Sequence, residues 1–340
     1  MIIVSSQNAR IDASAFAAVQ DAAVVASLEP LAVLAIDGHD AATFLQGQVS
    51  SDILALSADA CEYTSYNSPS GRVLANFPVW RAGPNAEDGF RALLPADSAA
   101  FIAKRLAMFV LRSKVKVSDV TAATARFGVA GPLAREALRA TLGVGPAPFA
   151  VSRHGDATVL GVHGPRFIVV APAASAEACH EALVRHARPV PFALWQWATI
   201  RSGVPIVTEA TRDKFVPQML NWDVLGGVNF QKGCYTGQEI IARTQYLGRL
   251  KERLFAFASG ASAANPGDRL YSSEFGDQPC GTVVNAAPAP QGGCELLAVL
   301  QLAAAKSGDV RLGALDGPRL APLTLPYTVP EQPAARARAL

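Results

Sequence analysis

The sequence predicts a protein of mixed α+β architecture that ends in a small all-β module. Up to about residue 248, short apolar strands alternate irregularly with amphipathic helices, which is typical of α+β layers and not of a regular βαβ series. Beyond that point, short apolar runs are separated about every 10–15 residues by Gly, Pro and Asn turns, as in a small β-barrel. With 340 residues, half of them hydrophobic and 17% charged, the chain can form roughly two or three domains with a sizeable core.

The first two thirds of the chain supply the predicted layers. Residues 1–30 are rich in alanine and weakly patterned, so we expect a weakly ordered segment. The elements predicted next are a strand at 31–36, a helix at 39–46, hairpin strands at 61–66 and 72–80 around the turn NSPSG, a strand at 90–94 and a helix at 96–110. Residues 114–187 repeat this alternation, with strands predicted at 114–117 and 126–130 and helices at 132–142 and 175–186.

These elements divide the chain into a large region and a small one. The alternation covers residues 31–248, and its renewal indicates two subdomains with a boundary near 115–125. The run of short strands defines a β-barrel domain at 249–330. The stretch EQPAARARAL at 331–340 is predicted to be a disordered tail.

Composition argues against several classes of protein. A formal net charge of +2 is small for an obligate nucleic-acid partner, which usually selects a strongly basic face. No apolar run reaches the ~18 residues of a membrane span, and no basic segment precedes an apolar run as in a signal peptide. We therefore expect a cytoplasmic protein without direct contact to membrane or nucleic acid.

The cysteines of the chain also limit the kinds of site that it can form. They are odd in number and widely spaced, and their positions are Cys61, Cys179, Cys234, Cys280 and Cys294. There is no CxxC pair and no Cys/His pair at zinc spacing, so the sequence predicts neither a disulfide framework nor a structural metal site. Such thiols suit a reducing cytoplasm.

One cysteine lies in a distinctive stretch, KGCYTGQE at 232–239. Thr236 and Glu239 have the spacing of a capping box, so we expect a helix to begin there. Cys234 would then lie two residues before a helix N-terminus and beside Lys232. Because the helix dipole and an ammonium group both favour the thiolate, the pattern predicts a reactive or metal-ligating sulfur.

The same stretch also has a purely structural interpretation. Cysteines in turns before helices are often just small residues, and a capping box is mainly a folding signal. Gly233 and Gly237 would permit either a sharp turn or the close approach of a ligand. Lys232 and Arg243, taken singly, are more typical of solvated charges, and a Cys/His dyad has no support because no histidine lies at a fixed spacing.

Three of the four tryptophans, Trp195, Trp197 and Trp222, lie just upstream, in LWQWATIRSG and NWDVLGG. Large aromatic rings can stack on a planar heterocycle, but filling a core is their commoner role. In a helix over 191–202, Trp195 and Trp197 project about 200° apart, so at most one of them can face a given pocket.

Four stretches resemble the YgfZ family, a branch of the aminomethyltransferase (glycine cleavage T-protein) superfamily. In chain order they are DGHDAATFLQGQVSSD at 37–52, NSPSGRVLA at 67–75, IRSGVPIVTEATRDKFVPQMLN at 200–221 and KGCYTGQEIIAR at 232–243. The last is the hallmark of the family, and the resemblance spans roughly residues 30–330.

The resemblance implies both a fold and a function. The fold is a pseudo-duplicated folate-binding region around a central opening, closed by the C-terminal β-barrel. The function is to bind tetrahydrofolate or a derivative and to support the assembly or repair of iron–sulfur clusters in client enzymes, including tRNA-thiolating ones, with Cys234 as the functional thiol. Trp195 matches a tryptophan of the family's folate site, and Arg72 would attract the anionic tail of folate.

The expected site therefore centres on the motif. Its residues are Lys232, Gly233, Cys234, Tyr235, Thr236, Gly237, Gln238, Glu239 and Arg243. One thiol cannot fill the four-thiolate shell of an iron–sulfur cluster, so a transient cluster at Cys234 would need ligands from a partner or from glutathione.

Two positions depart from the true aminomethyltransferases. Where those enzymes carry a carboxylate pair, this chain has Ala75 and Asn76. Proton transfer in one-carbon chemistry then loses its obvious agent. This argues against a conventional aminomethyltransferase, although a folate-dependent aminomethyl- or methyl-transferase is kept as the alternative function.

Overall fold

The computed structural model describes residues 11–85, 88–248 and 250–330 of the chain. Its helices are α1 (Ala13–Asp21), α2 (Ala41–Gln46), α3 (Ala96–Ala107), α4 (Ala134–Leu142), α5 (Ala176–Val184), α6 (Phe192–Arg201), α7 (Gln238–Tyr246) and α8 (Leu302–Ser307). Its strands are β1 (Val24–Ser27), β2 (Leu31–Asp37), β3 (Cys61–Asn67), β4 (Val73–Arg81), β5 (Phe90–Pro95), β6 (Lys116–Asp119), β7 (Thr124–Ala130), β8 (Val151–His154), β9 (Ala157–Val162), β10 (Arg166–Pro172), β11 (Arg188–Pro189), β12 (Glu252–Ser259), β13 (Arg269–Tyr271), β14 (Gly281–Pro288), β15 (Cys294–Gln301), β16 (Arg311–Leu312) and β17 (Leu320–Leu323).

The first sheet, here called the N-terminal sheet, has the strand order β3-β4-β5-β2-β6. Strand β2, with the sequence LAVLAID, pairs with β5 and β6 and is buried along almost its whole length, because Leu34 and Ile36 pack in one core and Leu31 and Val33 in another. Helix α3 packs on this sheet through Ile102 and Leu106. Asp97 in its first turn and Lys104 in its last turn complement the helix dipole.

The second sheet, the middle sheet, has the order β11-β1-β7-β10-β9-β8. The chain leaves the N-terminal sheet at Asp119 and enters the middle sheet at Thr124. Helices α4 and α5 bury Leu138 and Leu183 against one face of the sheet. Helix α6 contacts β1 and β7 and also packs against α1, so its two tryptophans lie at the centre of the molecule.

The third sheet, the C-terminal sheet, has the order β16-β13-β14-β15-β12-β17. Its strand β15, CELLAVLQ, is buried in seven of its eight residues. The sheet is tied to α6 by Trp197, whose Nε1 donates a hydrogen bond of 2.9 Å to the buried carboxylate of Glu295. Closure of these strands into a barrel, and a pseudo-duplication of the first two sheets, remain predictions.

The expectation that residues 1–30 are weakly ordered is wrong for residues 13–27. They form α1 and β1, and β1 is paired on both sides, with β7 and β11. Phe16 packs edge-on against Trp197 with ring centroids 5.1 Å apart. Alanine-rich sequence gave a weak hydrophobic pattern because small side chains pack closely with little apolar surface of their own.

Several predicted element bounds shift by a few residues. The helix expected at 39–46 begins at Ala41, and the one expected at 96–110 ends at Ala107. Residues 1–10 of the expected weakly ordered segment and the expected disordered tail at 331–340 lie outside the described residues.

Candidate functional site

The motif loop, residues 232–237, is fixed to the segment 46–51 by the side chain of Lys232. Its Nζ donates hydrogen bonds to three backbone carbonyl oxygens, those of Gln46 at 2.7 Å, Val49 at 2.7 Å and Ser51 at 2.6 Å. These carbonyls belong to the last residue of α2 and to the segment that follows it. Three charge-assisted bonds to one ammonium group make Lys232 an anchor between parts of the chain that are far apart in sequence.

The interpretation of Lys232 as a solvated charge is therefore wrong. The residue is 8% exposed, and burial lowers the pKa of its ammonium group to about 8, while the nearby carboxylates of Asp52 and Glu62 act to raise it. The ammonium also lies 5.1 Å from the ring centroid of Tyr235. Lys232 is thus directed into the protein and not towards solvent.

The predicted capping box is also wrong. Helix α7 begins at Gln238, and the residue before it is Gly237, which has a left-handed backbone with φ = +81°. No side chain caps this helix, because Gly237 and not Thr236 precedes it. A Cβ atom at Gly237 would lie 2.5 Å from the carbonyl oxygen of Ser68 and 2.9 Å from Cα of Gly71. Gly237 is therefore needed for close packing of the motif loop on the hairpin turn between β3 and β4.

Cys234 lies on the outside of this loop. Its neighbours Lys232 and Tyr235 are buried, whereas Gly233 and Cys234 are exposed. The other four cysteines of the chain are all buried. Burial raises the pKa of Cys61 to about 12, so that thiol is held in its protonated form at neutral pH. Cys234 is the accessible thiol of the chain.

The remaining motif residues extend the exposed surface beside Cys234. Glu239 and Arg243 are exposed on α7, which agrees with a solvated position for Arg243. Ile240 is 38% exposed and packs partly against Gly71.

A cavity of about 530 Å³ opens between β3, Phe149 and the segment 225–231 that precedes the motif. Its walls include Glu62, Tyr63, Phe149 and Phe230. Burial raises the pKa of Glu62, and the charge of Asp52 raises it further. A volume of this size, with aromatic walls and one carboxyl group, is in the range of small-molecule sites.

Tyr63 also lines a second, much smaller cavity of about 50 Å³. Its ring stacks on Trp222 at 4.9 Å and meets Phe149 edge-on at 5.1 Å. Trp195 and Arg166 line the same small cavity. Because Tyr63 contributes to both cavities, its ring lies between them.

Trp195 is 3% exposed, as expected for a core residue. A Cβ atom at Gly128 would lie 2.4 Å from its ring, so that glycine allows the indole to pack directly on β7. The guanidinium carbon of Arg166 lies 5.3 Å from its ring centroid. Trp197 faces Glu295 instead, so the two tryptophans point to different surroundings as the helical spacing predicted.

Arg72 is exposed, and its guanidinium donates a hydrogen bond to the backbone carbonyl of Lys214. Trp195 lines the small cavity, whereas neither Arg72 nor Cys234 is among the residues that line either of these two cavities. Ala75 and Asn76 are buried. The Asn76 side chain is occupied by the backbone of the 205–207 segment, because it donates to Pro205 O at 2.8 Å and accepts from Val207 N at 2.7 Å.

The sequence reasoning overlooked Glu62, Tyr63 and Arg166. One signal was available for Glu62, because it is the only charged residue in the strand CEYTSYN. Arg166 carried no such signal, since an arginine after a Gly-Pro turn is usually at the surface.

Within the described ranges, no group of three or more His, Cys, Asp or Glu side chains is arranged to hold a metal ion. No helix in the same part of the chain is long and apolar enough to cross a membrane.

Comparison with known proteins places this geometry in context. Residues 6–163 match the family model described as GCVT N-terminal domain. The chain is 33% identical over 313 residues to a tRNA-modifying protein YgfZ of Yersinia pseudotuberculosis, covering 90% of this chain and 92% of that protein. It is 31% identical over 316 residues to the protein of the same name from Serratia proteamaculans, covering 90% and 93%.

One solved structure extends the comparison to the fold. The glycine cleavage system aminomethyltransferase T of Bartonella henselae superposes with a TM-score of 0.75 at 17% identity, covering 93% of this chain and 89% of that one. The two proteins therefore share a mixed α/β fold over nearly their whole lengths.

Proposed function

Because the chain belongs to the YgfZ family, we propose that it is a folate-binding accessory protein that supports the assembly or repair of iron–sulfur clusters in client enzymes. The relatives are named tRNA-modifying proteins, and we extend that activity to this chain through clients that thiolate tRNA. We place this activity in the cytoplasm, where thiols stay reduced.

The observation that carries the proposal is the position of Cys234. It is the exposed cysteine of the chain, and two buried neighbours, Lys232 and Tyr235, hold the loop from which it projects. A sulfur presented in this way can reach the surface of a second protein. Its role is either to exchange thiols with a client or to give one ligand to a cluster whose other ligands come from the client or from glutathione.

The cavity of about 530 Å³ has the size that the folate proposal requires. Tyr63 and Phe149 could pack on the flat pterin ring, and Glu62 could bond to its amide and amino groups. Bound folate would supply a one-carbon carrier or serve as an effector. Trp195 and Arg72 stay predicted contacts, and a contact with Trp195 requires the small cavity behind Tyr63 to open.

The alternative is a folate-dependent aminomethyl- or methyl-transferase. The fold shared with an aminomethyltransferase favours it. The buried Ala75 and the fully bonded Asn76 weigh against it, because neither can accept a proton from a folate amine. Turnover of an aminomethylated carrier protein with tetrahydrofolate would establish the alternative.

The thiol is tested by complementation. In cells that lack their own protein of this family, we expect the wild-type chain to restore the activity of an iron–sulfur enzyme and Cys234→Ser to fail. Cys179→Ser, which changes a buried cysteine of α5, is the matched control and should restore activity. Equal restoration by Cys234→Ser would contradict the role of the thiol.

Folate binding is tested separately by calorimetric titration of tetrahydrofolate into the full chain. We expect saturable binding that survives Cys234→Ser, because Cys234 does not line the cavity. Absence of heat at millimolar ligand would remove folate from the proposal and leave the thiol function standing.

A further inference from the structure

A third cavity, of about 680 Å³, lies between helix α3, the turn that joins β3 to β4 and the segment 209–213. None of the described residues that line it lines either of the other two cavities. The proposed function does not use this space, although its volume is in the range of small-molecule sites. Apart from three apolar residues, Pro69, Leu74 and Phe101, its lining is polar or charged.

One wall of this cavity carries two arginines. The guanidinium carbon of Arg212 lies 4.2 Å from the ring centroid of Phe101, and its Nη2 donates a hydrogen bond of 3.2 Å to Ser98 Oγ. Arg105 follows Phe101 by one turn of α3. Burial raises the pKa of Tyr66, and the charge of Arg105 and its hydrogen bond to the Tyr66 side chain act in the opposite direction. The Nε of each arginine is buried and has no hydrogen-bond partner in the part of the chain that the structure describes.

The opposite wall is acidic. Asp213 accepts a hydrogen bond of 2.7 Å from Ser68 Oγ, and Ser68 Oγ lies 2.8 Å from Ser70 Oγ. The backbone of Asp213 is left-handed, with φ = +60°, and its N–H donates to Val73 O at 2.9 Å. Glu209 is exposed and lines the same cavity. Two carboxylates therefore lie on the side of the turn and of the rim.

The contacts of each wall keep the opposite charges apart. Arg212 and Asp213 are neighbours in the chain, yet Arg212 is directed to α3 and Asp213 to the turn. Across residues 11–85, 88–248 and 250–330, no ion pair involves any of the four charged residues of this cavity. Each wall therefore keeps its charge available to a ligand, and an anion beside the arginines also reduces the repulsion between them.

We propose that this cavity, here called the dipolar cavity, binds a small zwitterion, a molecule of the amino-acid or short-peptide class that carries a carboxylate and a protonated amine. The carboxylate lies on the wall of Arg105 and Arg212, because a guanidinium can hold both of its oxygens. The ammonium group faces Asp213 and Glu209, and the apolar stem between the two charges packs on Phe101. Folate has carboxylates but no ammonium group at neutral pH, so this site does not depend on the folate proposal.

The test is a ligand-observed NMR titration, by saturation transfer, of the full chain with a series of ω-amino acids: glycine, γ-aminobutyrate and ε-aminohexanoate. The series varies the distance between the two charges. We expect at least one member to bind saturably and at least about tenfold more tightly than the carboxylic acid and the primary amine of the same chain length, because only the zwitterion uses both walls.

Two variants assign the binding to the walls. Asp213→Asn keeps the shape of the side chain, and asparagine tolerates the left-handed backbone, so the zwitterion should bind only as weakly as the plain carboxylic acid. Arg212→Gln should reduce its affinity to that of the plain amine. Arg135→Gln is the matched control, because it removes a guanidinium 5.8 Å from the ring of Phe167 outside the cavity, and it should bind as the wild type does. If Arg212→Gln does not fold, Asp213→Asn still decides.

Three results would overturn the proposal. They are the absence of saturable binding for every member of the series, equal affinity of the wild type and Asp213→Asn, and displacement of the bound zwitterion by tetrahydrofolate, which would assign the cavity to folate. We expect tetrahydrofolate to leave the affinity for the zwitterion unchanged. If tetrahydrofolate does not bind the chain at all, the folate proposal fails and the comparison of wild type with Asp213→Asn still tests the dipolar cavity.

Discussion

The motif loop and the small cavity beside Trp195 use buried cations in opposite ways. In the motif loop, the Lys232 ammonium bonds three carbonyl oxygens and thereby positions an exposed cysteine. In the small cavity, Arg166 donates hydrogen bonds to His163 O, Ser202 Oγ and Thr199 Oγ1 and stays inside the protein. The first cation positions a side chain at the surface, whereas the second joins the C-terminal end of α6 to the turn before β10.

The largest expected effect tests the anchor. Lys232→Met keeps the aliphatic stem but leaves three buried carbonyl oxygens without their donor, so we expect the free energy of unfolding to fall by about 3 kcal/mol. Urea denaturation measures it. Lys251→Met, at an exposed lysine, should change stability by less than about 0.5 kcal/mol. Equal losses in the two variants would mean that Lys232 is not an anchor.

The next prediction asks whether the small cavity, whose wall includes Asn76, accepts a fixed negative charge. Asn76→Asp loses the bond to Pro205 O and buries a carboxylate, so we expect a loss of about 2–3 kcal/mol at pH 8. Burial raises the folded-state pKa of the new carboxyl group above its unfolded value. Stability is therefore greatest at low pH and is lost as pH rises through the folded pKa.

Melting curves at pH 5 and pH 8 check this sign. The matched control is Asn265→Asp, at an exposed asparagine, which should show no such pH dependence. A variant that is as stable as the wild type at pH 8 would show that position 76 tolerates the carboxylate that aminomethyltransferases carry, and it would strengthen the alternative function.

A third prediction concerns the backbone that supports Cys234. Gly237→Ala introduces a Cβ atom 2.5 Å from Ser68 O at a φ of +81°, so we expect a loss of about 2 kcal/mol. Gly233→Ala, in the same loop, meets no atom within 4 Å and should change stability by less than about 0.5 kcal/mol. If both glycines tolerate alanine equally, the packing of the loop on the β3–β4 turn is not what fixes it.

The smallest change in stability is expected at Cys234 itself. Cys234→Ser should leave the unfolding midpoint unchanged, because the side chain is exposed. Iodoacetamide labelling followed by mass spectrometry should find one thiol that reacts at least about 100-fold faster than the other four, and Cys234→Ser should remove it. Fast labelling of Cys61 in the native protein would contradict the assignment.

Local sequence patterns were sufficient to predict much of the architecture. The continuous apolar run at 31–36 predicted the buried strand β2, and the helical periodicity of apolar residues in Ala96–Ala107 predicted α3. The same kind of local pattern predicted the alternating strands and helices up to about residue 248 and the short strands beyond it. The motif KGCYTGQE singled out Cys234, which is exposed at the surface, and its function stays a prediction.

Local patterns failed where distant residues decide the outcome. The capping box looked complete in the sequence. In the structure Gly237 precedes α7 instead, because Ser68 and Gly71 lie too close to this position for a Cβ atom. Residues 13–27 looked weakly patterned, but pairing of β1 with two strands from elsewhere in the chain orders them. Neither constraint is visible in the segment itself, since each arises from contact with another part of the fold.

The sequence by itself therefore determined the class of fold, the family and the cysteine that carries the proposal. Only the tertiary structure decided that Lys232 points inward and that Arg166 and Tyr63 share one cavity. The physical reason is that burial and hydrogen-bond satisfaction depend on which distant groups surround a side chain. Lys232 reaches carbonyls more than 180 residues away in the chain, and no local pattern encodes those partners.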